Sequence, residues 1–123
     1  MTRPPATAHR PAGIHLLADL AGIEAGLLTD AEAIDALLRE AALAAGARIL
    51  HSHFHTFGPG MGVTGVLLLA ESHISIHTWP EHGFAAADIF MCGPAQPQRA
   101  LAIIERALRA STRTVQTIER GQL

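Results

Sequence analysis

VTGVLLLAESHISIHTWPEHGFAAADIFM, residues 63–91, decides the fold, because three strand-like runs follow one another there with little between them. Residues 63–70 are rich in Val and Leu. Residues 72–79 form the next run and end at Pro80-Glu81-His82-Gly83, a breaker cluster; residues 84–91 form the third. Upstream, Gly58-Pro59-Gly60-Met61-Gly62 is a flexible turn, and residues 48–57 before it read as another strand. Further back, Thr29-Asp30-Ala31-Glu32 has capping-box spacing, with the Thr29 hydroxyl as the expected cap. Ile34, Leu37, Leu38, Ala41 and Ala45 then recur at helical spacing until Gly46, a natural helix stop. Gly22 and Gly26 loosen the link back to a first strand over residues 14–20. Downstream, Gly93-Pro94-Ala95-Gln96-Pro97 precedes a helix over residues 98–110, with Leu101, Ile104 and Leu108 on one face. A last strand covers residues 112–118. Strands in adjacent runs with few helices predict an α+β fold, a two-layer antiparallel sheet with the helices on one face.

A chain of 123 residues fits one domain. Residues 1–12, with Pro4, Pro5 and Pro11 and no apolar run, are expected to be a disordered tail rather than a signal peptide, leaving 13–123 as the folded domain. The middle apolar stretch, residues 66–70, is far too short to span a bilayer. Aromatic residues make up only 4% of the chain, so Ala, Leu and Ile must fill the core, and burial against a second copy would help. The net charge of -2, with no basic stripe, argues against nucleic acid as the main partner. Cys92 is the single cysteine; it cannot form an internal disulfide and suits a reducing, cytoplasmic setting.

Chemistry-bearing residues concentrate between His51 and Cys92, which hold six of the eight histidines, the only Trp and the only Cys. On a strand, His51, His53 and His55 share a face, which is one way to hold a metal; a solvated histidine face is the plainer alternative. Ser72, His77 and Cys92 are a candidate nucleophile, base and thiol, although Ser72 and His77 are five apart and belong on opposite faces of a flat strand.

The run ESHISIHTWPE (71–81) followed by DIFMCG (88–93) resembles the processing and active-site segment of prokaryotic S-adenosylmethionine decarboxylase proenzymes. The resemblance runs from about Gly13 to the last strand. It implies that the Ser72 hydroxyl attacks the Glu71 carbonyl and converts the amide to an ester, with Thr64 at the position of a hydroxyl that assists. His77 matches the base that removes the Cα proton of residue 72. Elimination then frees a β chain of residues 1–71, and hydrolysis leaves a pyruvoyl group, the covalent cofactor, on an α chain of residues 72–123. That group is expected to form a Schiff base with the substrate amine while CO2 leaves. Cys92 matches the proton donor to the substrate carbon, Glu81 the carboxylate that holds the ribose hydroxyls, and Phe57 an aromatic that stacks on adenine.

The same resemblance implies a homodimer, sheet against sheet, with active sites built from both protomers, no resident metal, and a product that donates aminopropyl groups for spermidine synthesis. This chain departs from the family pattern in four places: Thr64 replaces a usual Ser, Ile14 a frequent basic residue, the 58–62 turn is one residue longer, and the aromatic-Gly-Cys after Leu20 is missing. All surround the expected pocket, so a pyruvoyl arginine or ornithine decarboxylase is the alternative within the family. A non-catalytic metal-binding module using His51, His53 and His55 is the alternative outside it.

Overall fold

A computed structural model describes residues 10–122. Most of the tail expected over residues 1–12 lies outside the described residues. The described chain forms strands β1 (Gly13–Ala21), β2 (Ile49–Thr56), β3 (Val63–Leu69), β4 (Ser72–Trp79), β5 (Phe84–Cys92) and β6 (Thr112–Arg120), with helices α1 (Ala31–Ala44) and α2 (Pro97–Leu108). One six-stranded sheet results, in the order β2-β3-β4-β5-β1-β6, with every neighbouring pair antiparallel. The expected α+β architecture holds. Among the described residues, no helix is long and apolar enough to cross a membrane.

Alternation along each strand sorts the sheet into two faces. Leu16, Ala18 and Leu20 of β1, Leu67 and Leu69 of β3, Ile74 and Ile76 of β4, and Ile89 and Met91 of β5 point one way and are buried. Ile34, Leu38 and Ala41 of α1 and Leu101, Ile104 and Leu108 of α2 pack into the same core. Gly65 faces this side too, where a Cβ would stand 2.0 Å from the Phe54 ring, so glycine lets that ring lie across β3. Among the described residues, the other face carries no helix. Leu68, Trp79 and Ile118 are exposed on it, and six of the chain's eight histidines (His15, His51, His53, His55, His73 and His77) point there by strand parity.

Two local details correct the sequence expectation. The N-cap of α1 is Asp30, whose carboxylate accepts from Ala33 N–H at 3.2 Å. Thr29 instead closes a short 3-10 turn (Ala25–Leu28) that the glycine-spaced link had hidden, its hydroxyl reaching Gly26 O at 3.5 Å. At the other end, Gly46 (φ 84) does stop α1: its N–H bonds Leu43 O at 3.1 Å, and Ala47 N–H bonds Ala42 O at 3.0 Å, a Schellman pair.

Candidate active site

The tight turn between β3 and β4 holds the expected scissile bond. Ala70 and Glu71 form it, and Glu71 sits at φ 58, in the left-handed region where a Cβ is disfavoured by roughly 1–2 kcal/mol. Ser72 opens β4, and its Oγ accepts from Cys92 N–H at 3.4 Å. Cys92 ends β5, with its Sγ 4.0 Å from Pro11 O. Gly13 lies opposite Cys92 in register, and a Cβ there would come within 3.0 Å of Sγ and 2.7 Å of Met91 O, so glycine leaves the thiol its space. Burial, and then the Glu71 charge, push the Cys92 thiol above its usual range. The thiol therefore keeps its proton at neutral pH, as an acid must.

The far end of β4 gathers a second group. His77 faces Thr64 across the β3–β4 ladder, and Thr64 Oγ1 lies 3.1 Å from His77 Nδ1. Both line a cavity of about 300 Å³ together with Phe57, Met61, Trp79 and Glu81. Pro80 breaks β4 after Trp79 and starts a 3-10 turn (Pro80–His82), which carries Glu81 to the rim. Buried Thr78 anchors this end: its hydroxyl donates to Leu28 O at 2.7 Å and accepts from Val63 N–H at 2.8 Å. Phe57 and Trp79 are exposed rings on the wall of this cavity.

The two groups do not meet within one chain. Ser72 and His77 stand at opposite ends of β4, five residues and roughly 16 Å apart at the usual strand rise. Ile74 and Ile76, in the parity of Ser72, point to the helices, while His77 points to the open face. Both obstacles, parity and distance, apply to a lone protomer.

A family model described as S-adenosylmethionine decarboxylase matches residues 14–121. The chain belongs to the S-adenosylmethionine decarboxylase family. It is 42% identical to the S-adenosylmethionine decarboxylase proenzyme of Caldanaerobacter subterraneus over 89% of this chain and 88% of that one. The proenzyme of Persephonella marina is 46% identical over 89% of this chain and 82% of its own. The crystal structure of the adenosylmethionine decarboxylase from Aquifex aeolicus superposes with a TM-score of 0.84 at 44% identity, covering 90% of this chain and 92% of that one.

Sequence reasoning within this decarboxylase family named Phe57, Thr64, Glu71, Ser72, His77, Glu81 and Cys92, and missed Met61 and Trp79 as cavity walls. Trp79 was legible in one respect: it shares strand parity with His77. The row His51, His53, His55 does lie on one face of edge strand β2, but its three sets of ring nitrogens are not gathered within 4.8 Å of one another.

A further cluster in the middle of the open face also escaped the sequence reading. Asp88 of β5 accepts through Oδ1 from His15 Nε2 of β1 at 3.1 Å and His73 Nε2 of β4 at 3.0 Å, and through Oδ2 from the Ser75 hydroxyl. Burial disfavours the Asp88 charge, but the hydrogen bonds from Ser75, His15 and His73 outweigh it and hold the carboxyl below its usual range. Among the described residues, only His15, His73 and Asp88 bring potential metal-ligand atoms within 4.8 Å of one another. Arg120 Nη1, however, lies 3.3 Å from His15 Nδ1. A guanidinium has only hydrogens to give, so His15 Nδ1 accepts and Nε2 carries the hydrogen. An imidazole nitrogen that carries hydrogen is a donor to Asp88, not a metal ligand.

Proposed function

We propose that this chain is a self-cleaving proenzyme, cut between Glu71 and Ser72, whose mature form decarboxylates S-adenosylmethionine. The observation that carries the reading is the cavity that joins Phe57, Trp79 and Met61 to the Glu81 carboxylate and the Thr64–His77 pair. Two aromatic walls suit a flat base and a sulfonium charge, and an acceptor-only carboxylate suits a ribose diol. Arginine and ornithine have no purine to stack and no diol for Glu81 to hold. The relatives' names favour the same substrate.

The residues around Ser72 fit the group it would become. A backbone N–H from Cys92 lies against Ser72 Oγ, and a protonated, buried thiol stands beside it. When formed, the pyruvoyl group supplies an electron-withdrawing carbonyl that takes up the electrons released as CO2 departs. Cys92 then holds the proton to be delivered, and the Glu71 backbone, already bent to φ 58, presents its carbonyl on an exposed, tight turn for the preceding cut.

We further read the working unit as a homodimer joined through the open sheet face. The split site supports this: a twofold axis across that face brings the Ser72–Cys92 end of one protomer to the Thr64–His77–Glu81 end of the other. The exposed Leu68, Trp79 and Ile118 on the face fit burial by a second copy. His77 then acts as base on the partner's residue 72, which removes the distance objection.

Intact mass of the purified protein, followed by CO2 release from S-adenosylmethionine, arginine and ornithine, tests the proposal. Two chains with Ser72 converted, and release from S-adenosylmethionine, are expected. One uncut chain at neutral pH overturns it, and release from arginine or ornithine alone overturns the substrate.

A further inference from the structure

Residue 72 has two covalent tethers before the cut and one after it. In the precursor it is held through Glu71 and the β3–β4 turn on one side, and through His73 on the other. Once the Glu71–Ser72 bond is gone, the new chain end keeps its place opposite Leu69 on β3 and whatever holds His73. The β4–β5 ladder begins at His73, opposite Phe90, and the first side-chain anchor on the freed strand is the His73 Nε2 bond to Asp88 Oδ1.

We propose that Asp88 is a positioning residue for the mature enzyme: through His73 it fixes the α-chain end that carries residue 72, and through His15 it ties that end to the β chain. The inference rests on the self-cleavage reading above.

The hydrogen bonds onto Asp88 run in one direction. Arg120 donates to His15 Nδ1, which places the remaining His15 hydrogen on Nε2, facing Asp88. Asp88 Oδ1 therefore takes one hydrogen from His15 and one from His73, while Oδ2 takes the Ser75 hydroxyl. The Arg120 guanidinium also lies over the Phe90 ring at 5.8 Å, and the His15 and His73 rings flank Phe90 at 5.7 and 6.0 Å. After cleavage, His15 belongs to the β chain, whereas His73, Ser75, Asp88 and Arg120 belong to the α chain. A carboxylate shared by both chains ties them together and leaves the strand end little freedom. Because reacting atoms lose rate when displaced by as little as 1 Å, a loosened end costs turnover more than binding.

The experiment compares full-length wild type, Asp88→Asn, His73→Gln and His73→Phe, each allowed to cleave itself. Gln keeps an N–H donor near the position of Nε2; Phe keeps a ring and removes the donor. Intact mass follows cleavage, steady-state assay of fully cleaved material gives kcat and KM, and amide hydrogen exchange reports on residues 73–76. Self-cleavage is expected to stay within about threefold of wild type in all four, because the precursor holds residue 72 from both sides. In Asp88→Asn and His73→Phe, kcat is expected to fall about tenfold or more with KM changed less than about twofold, and exchange at 73–76 to quicken. His73→Gln is expected to restore both.

Wild-type kcat or wild-type exchange in cleaved His73→Phe overturns the proposal, as does a His73→Gln enzyme as poor as His73→Phe. If Asp88→Asn does not fold, the two His73 variants decide alone. If cleaved wild type releases no CO2 from any substrate, the functional reading falls, and hydrogen exchange still decides whether the Asp88 clamp holds the strand end.

Discussion

Cys92 and Asp88 show how environment rather than residue type sets a role. Burial beside the Glu71 carboxylate keeps the Cys92 thiol protonated. Alkylation by iodoacetamide is therefore expected to be slow at neutral pH, with its midpoint above that of an ordinary thiol; a lower midpoint would remove the acid role. Cys92→Ala is expected to cleave itself and then turn over at least about tenfold more slowly, as measured by intact mass and CO2 release. Asp88 moves the other way, held below the usual carboxylate range by three hydrogen bonds that outweigh its burial. Its folded value lies under its unfolded one, so its contribution is complete above the unfolded value of roughly 4 and is lost as pH falls through the folded value. The melting temperature of Asp88→Asn is expected to trail wild type at pH 7, and the gap to narrow below pH 4. A gap that widens in acid contradicts the assignment.

At the scale of elements, local signals were legible and pairings were not. The end of the strand over residues 72–79 was legible because Pro80-Glu81-His82-Gly83 breaks it, whereas Ala70-Glu71 before it carries no turn residue. The α1 cap was misread by one residue, since Thr29 and Asp30 are both capping types and only the backbone decides which one is extended. Asp30→Ala is accordingly expected to cost about 1 kcal/mol in denaturant unfolding, and Thr29→Ala close to nothing. Equal losses would reinstate Thr29 as the cap. The roles of Ser72, His77 and Cys92 came from resemblance, because strand parity set Ser72 and His77 on opposite faces, and the structure keeps that separation. The His15–Asp88–His73 cluster was invisible for a different reason. Its members lie up to 73 residues apart in sequence, and only the order β4-β5-β1 makes them neighbours.

For the whole molecule, the candidate site is divided along β4, and of its two halves the one with Thr64 and His77 faces the open side of the sheet. Ser72 and Cys92 lie at one end of β4, and Thr64, His77 and Glu81 at the other. If a twofold partner unites them, cleavage is a reaction between protomers, and dimer formation must precede it. A Ser72→Ala chain still supplies His77, and a His77→Ala chain still offers Glu71–Ser72 to be cut. Each variant alone is expected to remain full length. Co-expressed with distinguishable tags, the two make a mixed dimer with one complete site. Intact mass of that mixed dimer tests the account most directly. The His77→Ala chain is expected to be cleaved to its residue 72–123 product while the Ser72→Ala chain stays whole. An intact His77→Ala chain in confirmed mixed dimers would contradict the account, as would wild-type cleavage in protein that remains monomeric.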